Sequence, residues 1–304
     1  MRSLSRGALA STLLPVRATR YNTRAMSSRE GRPSTAQQAG PATATPAPLA
    51  CIDGVLTPLA EARIPVSDEG LVRGDGVFEV IRLYDGVPFA LERHLARLAN
   101  SAAGLRLPLD IEAVRADIER ILAEPNPGGA LLRLIVTRGG RRIAMLEALP
   151  VLGESVALAS VTYSPTRVLD GVKSLSYAAN MLASRLARER GFDEALLVSP
   201  HRRVLECPTA SFFAVEAGAI VTPPLSERIL DSITRALVLE LADVDEQPIT
   251  VDELESIDEA FIASSVAEVM PVRRIDEREL PAPGPLTLGL ATALRARIAA
   301  VTAG

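Results

Sequence analysis

Gly74–Phe89 constrains the fold of this chain more than any other stretch. Val77 to Leu83 alternates with a period of two, Asp85-Gly86 follows, and Val87-Pro88-Phe89 returns. Alternation at that period belongs to a strand with one face inward. An Asp-Gly pair between two such runs favours a hairpin turn with positive φ at both central residues. A second Asp-Gly hairpin is predicted over Cys51–Val55, where the fold begins near Ala50. Two hairpins followed by two helical patterns predict an α+β first half.

The helical patterns are clear. Glu92 to Ala103 reads as a helix closed at Gly104, and Asp110 caps another running to about Glu124, with Ile111, Val114, Ile118, Ile121 and Leu122 on one face. Pro125-Asn126-Pro127-Gly128-Gly129 breaks the pattern. Ala130–Arg138 reads as a strand, Gly139–Arg142 as a basic turn, and Ser155–Tyr163 as the last strand of the first half. A linker over Ser164–Val172 leads to a helix over Ala178–Arg190, then to short strands at Glu194–Ser199, Val204–Glu206, Ser211–Val215 and Ile220–Thr222. Asp231-Ser232 caps a helix reaching Ala242, Glu259–Ser264 is a strand, and Pro285–Val301 is the last helix. The expected organisation is a tail over residues 1–48, a small N-terminal domain over 49–163, a linker over 164–172 and a C-terminal domain over 173–304.

Composition removes several function classes. Residues 1–48 carry seven Arg against one acid, Glu30, and too little patterned apolar surface to offset ordering; disorder is expected there, and an organelle leader has the same composition. The remaining residues carry 26 basic against 36 acidic side chains, a poor balance for holding nucleic acid. No uncharged apolar run approaches the roughly 20 residues of a membrane span. Two cysteines suit a reducing compartment, so a cytoplasmic protein is expected, and two histidines, His94 and His201, exclude a histidine-rich metal site.

Among 33 basic residues one is a lysine, Lys173. A guanidinium stays charged, whereas a desolvated lysine amine can lose its proton and attack a carbonyl. Chance survival of one surface lysine in an Arg-rich sequence is the plain alternative. Pyridoxal phosphate is the common carbonyl cofactor, and it needs an amine, a partner for its pyridine nitrogen and a phosphate cup. Glu206, in an apolar segment, is a candidate for the nitrogen. Ser232-Ile233-Thr234-Arg235 opens a helix whose free N–H groups suit a phosphate. Ser264 and Ser265 could add hydroxyls and Arg97 a fork of donors. Arg82, Arg133, Arg141 and Arg142 could hold a substrate carboxylate. Taken singly, each also fits a solvent-facing Glu, an ordinary cap or a surface ion pair.

Together, the GDGVFE (74–79), HLARL (94–98), VTRG (136–139), VKSL (172–175), FDEALL (192–197), VLEC (204–207), TPPL (222–225), SITR (232–235) and FIASSVAEVMPV (261–272) segments resemble the fold-type IV pyridoxal-phosphate enzymes over roughly residues 50–290. These class IV aminotransferases include branched-chain aminotransferases, D-amino-acid transaminases and aminodeoxychorismate lyase. The resemblance implies a two-domain α+β fold with a small N-terminal α/β domain and a larger, β-rich C-terminal one. It implies that Lys173 forms the Schiff base and moves protons, and that Glu206 pairs with the pyridine nitrogen. Arg97, Ile233, Thr234, Ser265 and Ser264 would hold the phosphate, and Tyr177 would sit at the phenolic oxygen side. A homodimer acting on an amino acid and a 2-oxo acid follows from the same resemblance.

The subtype rests on departures. Phe78 stands where D-amino-acid transaminases usually carry Tyr. Phe78, Arg82 and Arg133 resemble the branched-chain group, although Leu131 replaces a frequent Tyr. Glu206-Cys207 and the VTRGG segment resemble the lyase, although Val80 replaces its frequent Thr. Ser232 replaces a usual Gly, and Ser211 a usual Asn. The expected activity is amino transfer from a branched-chain-like amino acid. The alternatives are a lyase that releases pyruvate and 4-aminobenzoate, a D-amino-acid transaminase and a non-catalytic cofactor-binding protein.

Overall fold

A computed structural model describes residues 48–125 and 130–302; the expected tail lies outside the described residues except for Pro48. The first hairpin forms as expected, with β1 (Leu49–Ile52) and β2 (Val55–Pro58) joined through Asp53 and Gly54, both at positive φ. The short α1 (Glu69–Arg73) precedes the second hairpin, β3 (Gly76–Tyr84) and β4 (Val87–Pro88), whose turn residues Asp85 and Gly86 are also at positive φ. Helix α2 (Leu91–Gly104) and helix α3 (Ile111–Leu122) follow, and the Asp110 carboxylate caps α3 by accepting from the Ala113 N–H. β5 (Leu131–Thr137) and β6 (Arg142–Glu147) complete a six-stranded sheet ordered β2-β1-β6-β5-β3-β4.

Alternation in β3 decides what each face does. Val77 and Ile81 enter a core with Leu95 and Leu98 of α2 and Val114, Ile118 and Ile121 of α3. At about 25 cal/mol per Å² of apolar surface, burying such a stripe is what holds these helices to the sheet. Glu79 shares that inward face and is fully buried. Phe78 and Val80 look the other way.

The second sheet begins with β7 (Val156–Thr162). Local pattern predicts this strand, but assigns it to the first half. The structure pairs it in parallel with β13 (Glu268–Ile275) and β8 (Glu194–Val198), so it belongs with the second sheet. A strand's own alternation carries no information about its partner, which is why this assignment fails. Between β7 and β8 runs α4 (Ala178–Glu189), as a parallel pair requires a crossover. β9 (Ser211–Glu216), β10 (Ala219–Thr222), α5 (Ile233–Leu241), β11 (Val244–Glu246), β12 (Glu259–Ser264) and β14 (Arg278–Glu279) follow; α6 (Pro285–Thr302) ends the described chain. The main path is β11-β10-β9-β12-β13-β7-β8, with β14 against β13. The expected strand at Val204–Glu206 is reduced to a bridge between Val198 and Val204. The pattern predicts no strand at β6; the basic turn expected over Gly139–Arg142 runs straight into it.

Candidate active site

Lys173 lies on the crossover between β7 and β8, and the backbone around it is stitched to β3. The Phe78 N–H donates to the Lys173 carbonyl at 3.1 Å, the Leu175 N–H donates to Gly76 at 2.8 Å, and the Lys173 N–H donates to Ser101 Oγ at 3.1 Å. Gly76 makes this approach possible: a Cβ there would meet Leu175 Cδ1 and the Val136 carbonyl at 2.6 Å each. The Lys173 side chain then enters a cavity of about 700 Å³, within the range of small-molecule sites. Its Nζ stands 4.4 Å from the Phe78 ring centroid and 5.8 Å from that of Tyr177. Burial pushes the amine down to about 8, with Arg97 and Arg133 adding to the shift and Glu79 and Glu206 opposing it.

Glu206 lines the same cavity. Burial raises its carboxyl to about 7, although both oxygens accept from the Leu230 N–H at 3.2 Å. A cation opposite it would restore the ionised form. The Tyr177 hydroxyl donates to the Pro208 carbonyl, its ring meets Phe78 edge-on at 5.3 Å, and burial followed by the charge of Glu206 holds it protonated.

Arg97 is placed by a buried carboxylate. Its Nε and Nη2 each donate to Glu79 at 2.7 Å, and its Nη1 donates to the Asp231 carbonyl at 3.0 Å. His94 Nδ1 lies 2.8 Å from the same carboxylate, and His94 Nε2 lies 3.5 Å from Ser265 Oγ. Burial alone would raise the Glu79 carboxyl, yet the hydrogen bonds from Arg97 and His94 lower it to about 2. Asp231 precedes α5, capped by Ser232 Oγ accepting from the Arg235 N–H at 3.3 Å. Ile233 and Thr234 are its first two residues, and their N–H groups have no acceptor among the described residues. Ser264 Oγ accepts from the Ala267 N–H, while both Ser264 and Ser265 face the cavity.

Phe78, Val80, Leu131, Ile135 and Arg133 form a wall of the cavity. Arg133 is held by Glu147, Nε to Oε1 at 2.7 Å and Nη2 to Oε2 at 2.9 Å. The three other candidates for a substrate carboxylate lie elsewhere. Arg82 donates to the Val266 carbonyl and pairs with Glu268 at 2.9 Å, outside the large cavity. Arg141 pairs with Asp53 at 2.5 Å, and Arg142 with Asp117 at 2.9 Å, and neither lines the cavity. Sequence reasoning gives Glu79 and Glu147 no role. For Glu79 the signal was present, an acid in register with inward Val77 and Ile81. For Glu147 none was, because β6 itself was not anticipated.

The family model for class IV amino-transferases matches residues 76–275, the stretch that holds Lys173, Glu206, Arg97 and the start of α5. The chain belongs to the class IV aminotransferase family. It is 38% identical over 75% of its length, and 88% of the relative's, to a protein provisionally named a branched-chain-amino-acid aminotransferase in Methanocaldococcus jannaschii. It is 32% identical to a D-alanine aminotransferase of Bacillus licheniformis over 83% of this chain and 97% of that one. A solved fold IV-transaminase from Curtobacterium pusillum superposes with a TM-score of 0.72 at 32% identity, covering 81% of this chain and 92% of that one. This class IV aminotransferase therefore has the two-sheet α+β fold of the fold-type IV enzymes, whose cofactor is pyridoxal 5′-phosphate.

The cavity suits that group. Ser211 Oγ lines it, buried and without a hydrogen-bond partner. At the start of α5, whose Ser232 lines the cavity, two N–H groups without an acceptor among the described residues stand beside the Arg97 guanidinium, the arrangement that receives a phosphate. A buried carboxylate and a buried amine whose pKa is depressed supply the remaining two requirements.

Proposed function

We propose that this protein transfers the amino group of an aliphatic, branched-chain-like L-amino acid to a 2-oxo acid. The observation that carries the reading is Lys173 Nζ, desolvated above the Phe78 ring in the cavity that also holds Glu206. Bound there, pyridoxal phosphate supplies the electron sink that lets an amino acid's Cα proton leave. In this reading Lys173 holds the cofactor and then carries the proton. An Nζ near pH 8 is close to the value at which both acceptance and return of a proton are fast. Glu206 keeps the pyridine nitrogen protonated, and the Tyr177 hydroxyl supports the phenolic oxygen side. Arg97, the N–H groups of Ile233 and Thr234, and Ser264 with Ser265 hold the phosphate.

Phe78, Val80, Leu131 and Ile135 favour an aliphatic side chain, by about 0.8 kcal/mol per buried methylene. A lyase substrate with a second carboxylate needs a cation free to receive it, and on this apolar wall the one cation, Arg133, is already engaged by Glu147. Two domains, one on each sheet, and a cytoplasmic homodimer complete the proposal. Among the described residues no helix is long and apolar enough to cross a membrane. A donor panel of L- and D-amino acids and aminodeoxychorismate, with 2-oxoglutarate or pyruvate as acceptor, tests the reading. Turnover of L-leucine and L-isoleucine supports it; pyruvate released from aminodeoxychorismate without any amino transfer refutes it.

A further inference from the structure

Arg133 is a cation on an otherwise apolar wall. It sits on β5 with its guanidinium 6.0 Å from the Phe78 ring centroid, inside the cavity that receives Lys173. Opposite Leu131 on β6 stands Glu147, which makes it the diagonal neighbour of Arg133 on the same face of the sheet. Both oxygens of Glu147 engage the Arg133 fork, at 2.7 and 2.9 Å, and each side chain keeps about 30% of its surface open. The pair is therefore neither sealed in the core nor lost to solvent. Glu147 stands over the one cation of this wall.

We infer that Glu147 is a specificity-determining residue that masks Arg133 and so biases the cavity against substrates with a distal carboxylate. The inference rests on the cavity being the substrate site, as proposed above. A bidentate guanidinium–carboxylate pair satisfies two of the five donors of Arg133 and cancels its charge at short range. A second carboxylate entering from a substrate meets Glu147 first, a like charge that repels it until Glu147 swings out. An aliphatic side chain asks nothing of the pair and packs on Phe78, Val80, Leu131 and Ile135. Glu147 thus acts on the choice between dicarboxylate and aliphatic substrates and leaves the chemistry at Lys173 untouched.

The test compares binding of glutarate and 4-methylpentanoate to the cofactor-loaded wild type and to Glu147→Gln, by calorimetry. Gln keeps the size and one acceptor but loses the negative charge. Glutarate is expected to tighten by about tenfold, the scale of removing one like charge from a half-open site. 4-Methylpentanoate stays within about threefold. Adding Arg133→Met to Glu147→Gln removes the gain. Glu147→Asp, which draws the carboxylate back by one methylene, shifts glutarate in the same direction if Gln compromises folding. KM for 2-oxoglutarate should fall with the glutarate Kd, while kcat changes little. An unchanged ratio of the two acids in Glu147→Gln, or a gain that survives Arg133→Met, overturns the inference and leaves the proposed function standing. If neither acid binds the wild type, the substrate-site reading falls with it.

Discussion

Replacing Glu79 by Gln is the perturbation whose size can be worked most directly from the structure. The Glu79 side chain is fully buried and accepts from Arg97 twice at 2.7 Å and from His94 at 2.8 Å. Burial opposes its ionisation, and these partners overcome it, taking the carboxyl from 4.5 to about 2. At about 1.4 kcal/mol per pH unit, that is about 3 kcal/mol of stability. The folded pKa is depressed, so the contribution is complete above about 4.5 and is lost as pH falls toward 2. Removing one partner of a buried pair costs about 3–5 kcal/mol, in agreement. For a body of this size each kcal/mol lowers Tm by about 2–4 °C, so Glu79→Gln should melt about 6–12 °C lower. Scanning calorimetry of the apo protein at pH 7 and at pH 5 checks this, and the gap should be the same at both. Arg97, released from its anchor, should also hold the cofactor about tenfold more weakly, the scale of one charge-assisted bond. A Tm loss under about 2 °C would refute the reasoning, as would a gap that closes between pH 7 and pH 5.

Other outcomes follow from the same geometry. Lys173→Arg keeps the charge but has no amine to deprotonate; it should lose the visible absorbance of the lysine-linked cofactor and at least about 10³-fold in turnover, read by spectroscopy and steady-state kinetics. The rate at which apo protein takes up cofactor should rise with pH through about 8, where the Lys173 amine becomes neutral, and a rise centred near 10.5 in stopped-flow traces would contradict the burial of Lys173. Glu206→Gln should lose about 10²–10³-fold in kcat while Tm changes little, as expected for loss of one electrostatic partner. Removing residues 1–48, which lack a core face by composition, should leave Tm and activity unchanged in the truncated protein.

Much of the fold was legible where one local rule decides an element. Asp53-Gly54 and Asp85-Gly86 demand positive φ at both positions, so both hairpins could be read directly. Asp110 and Ser232 cap helices with their own side chains, and Glu259–Ser264 is the strand its pattern describes. What depends on a distant partner was not legible. β7 is locally an ordinary strand, and only its parallel pairing with β8 and β13 decides its sheet. The candidate site divides in the same way. Lys173 stands out by residue type alone. Arg82 and Arg133 look alike in sequence, each inside an apolar strand, yet Glu268 draws one out of the cavity and Glu147 holds the other in its wall. Glu79 was visible as an inward acid, but its partners sit on a helix whose face becomes known only when the helix packs.

The most direct test of the central claim is a single half-reaction. Cofactor-loaded protein is mixed with L-leucine or L-isoleucine with no acceptor present, and the visible absorbance and the released acids are followed together. The visible band should give way to the shorter-wavelength absorbance of the cofactor's amine form, with one equivalent of the matching 2-oxo acid per site. Failure of every L- and D-amino acid to produce that change, with aminodeoxychorismate yielding pyruvate in the same protein, would contradict it.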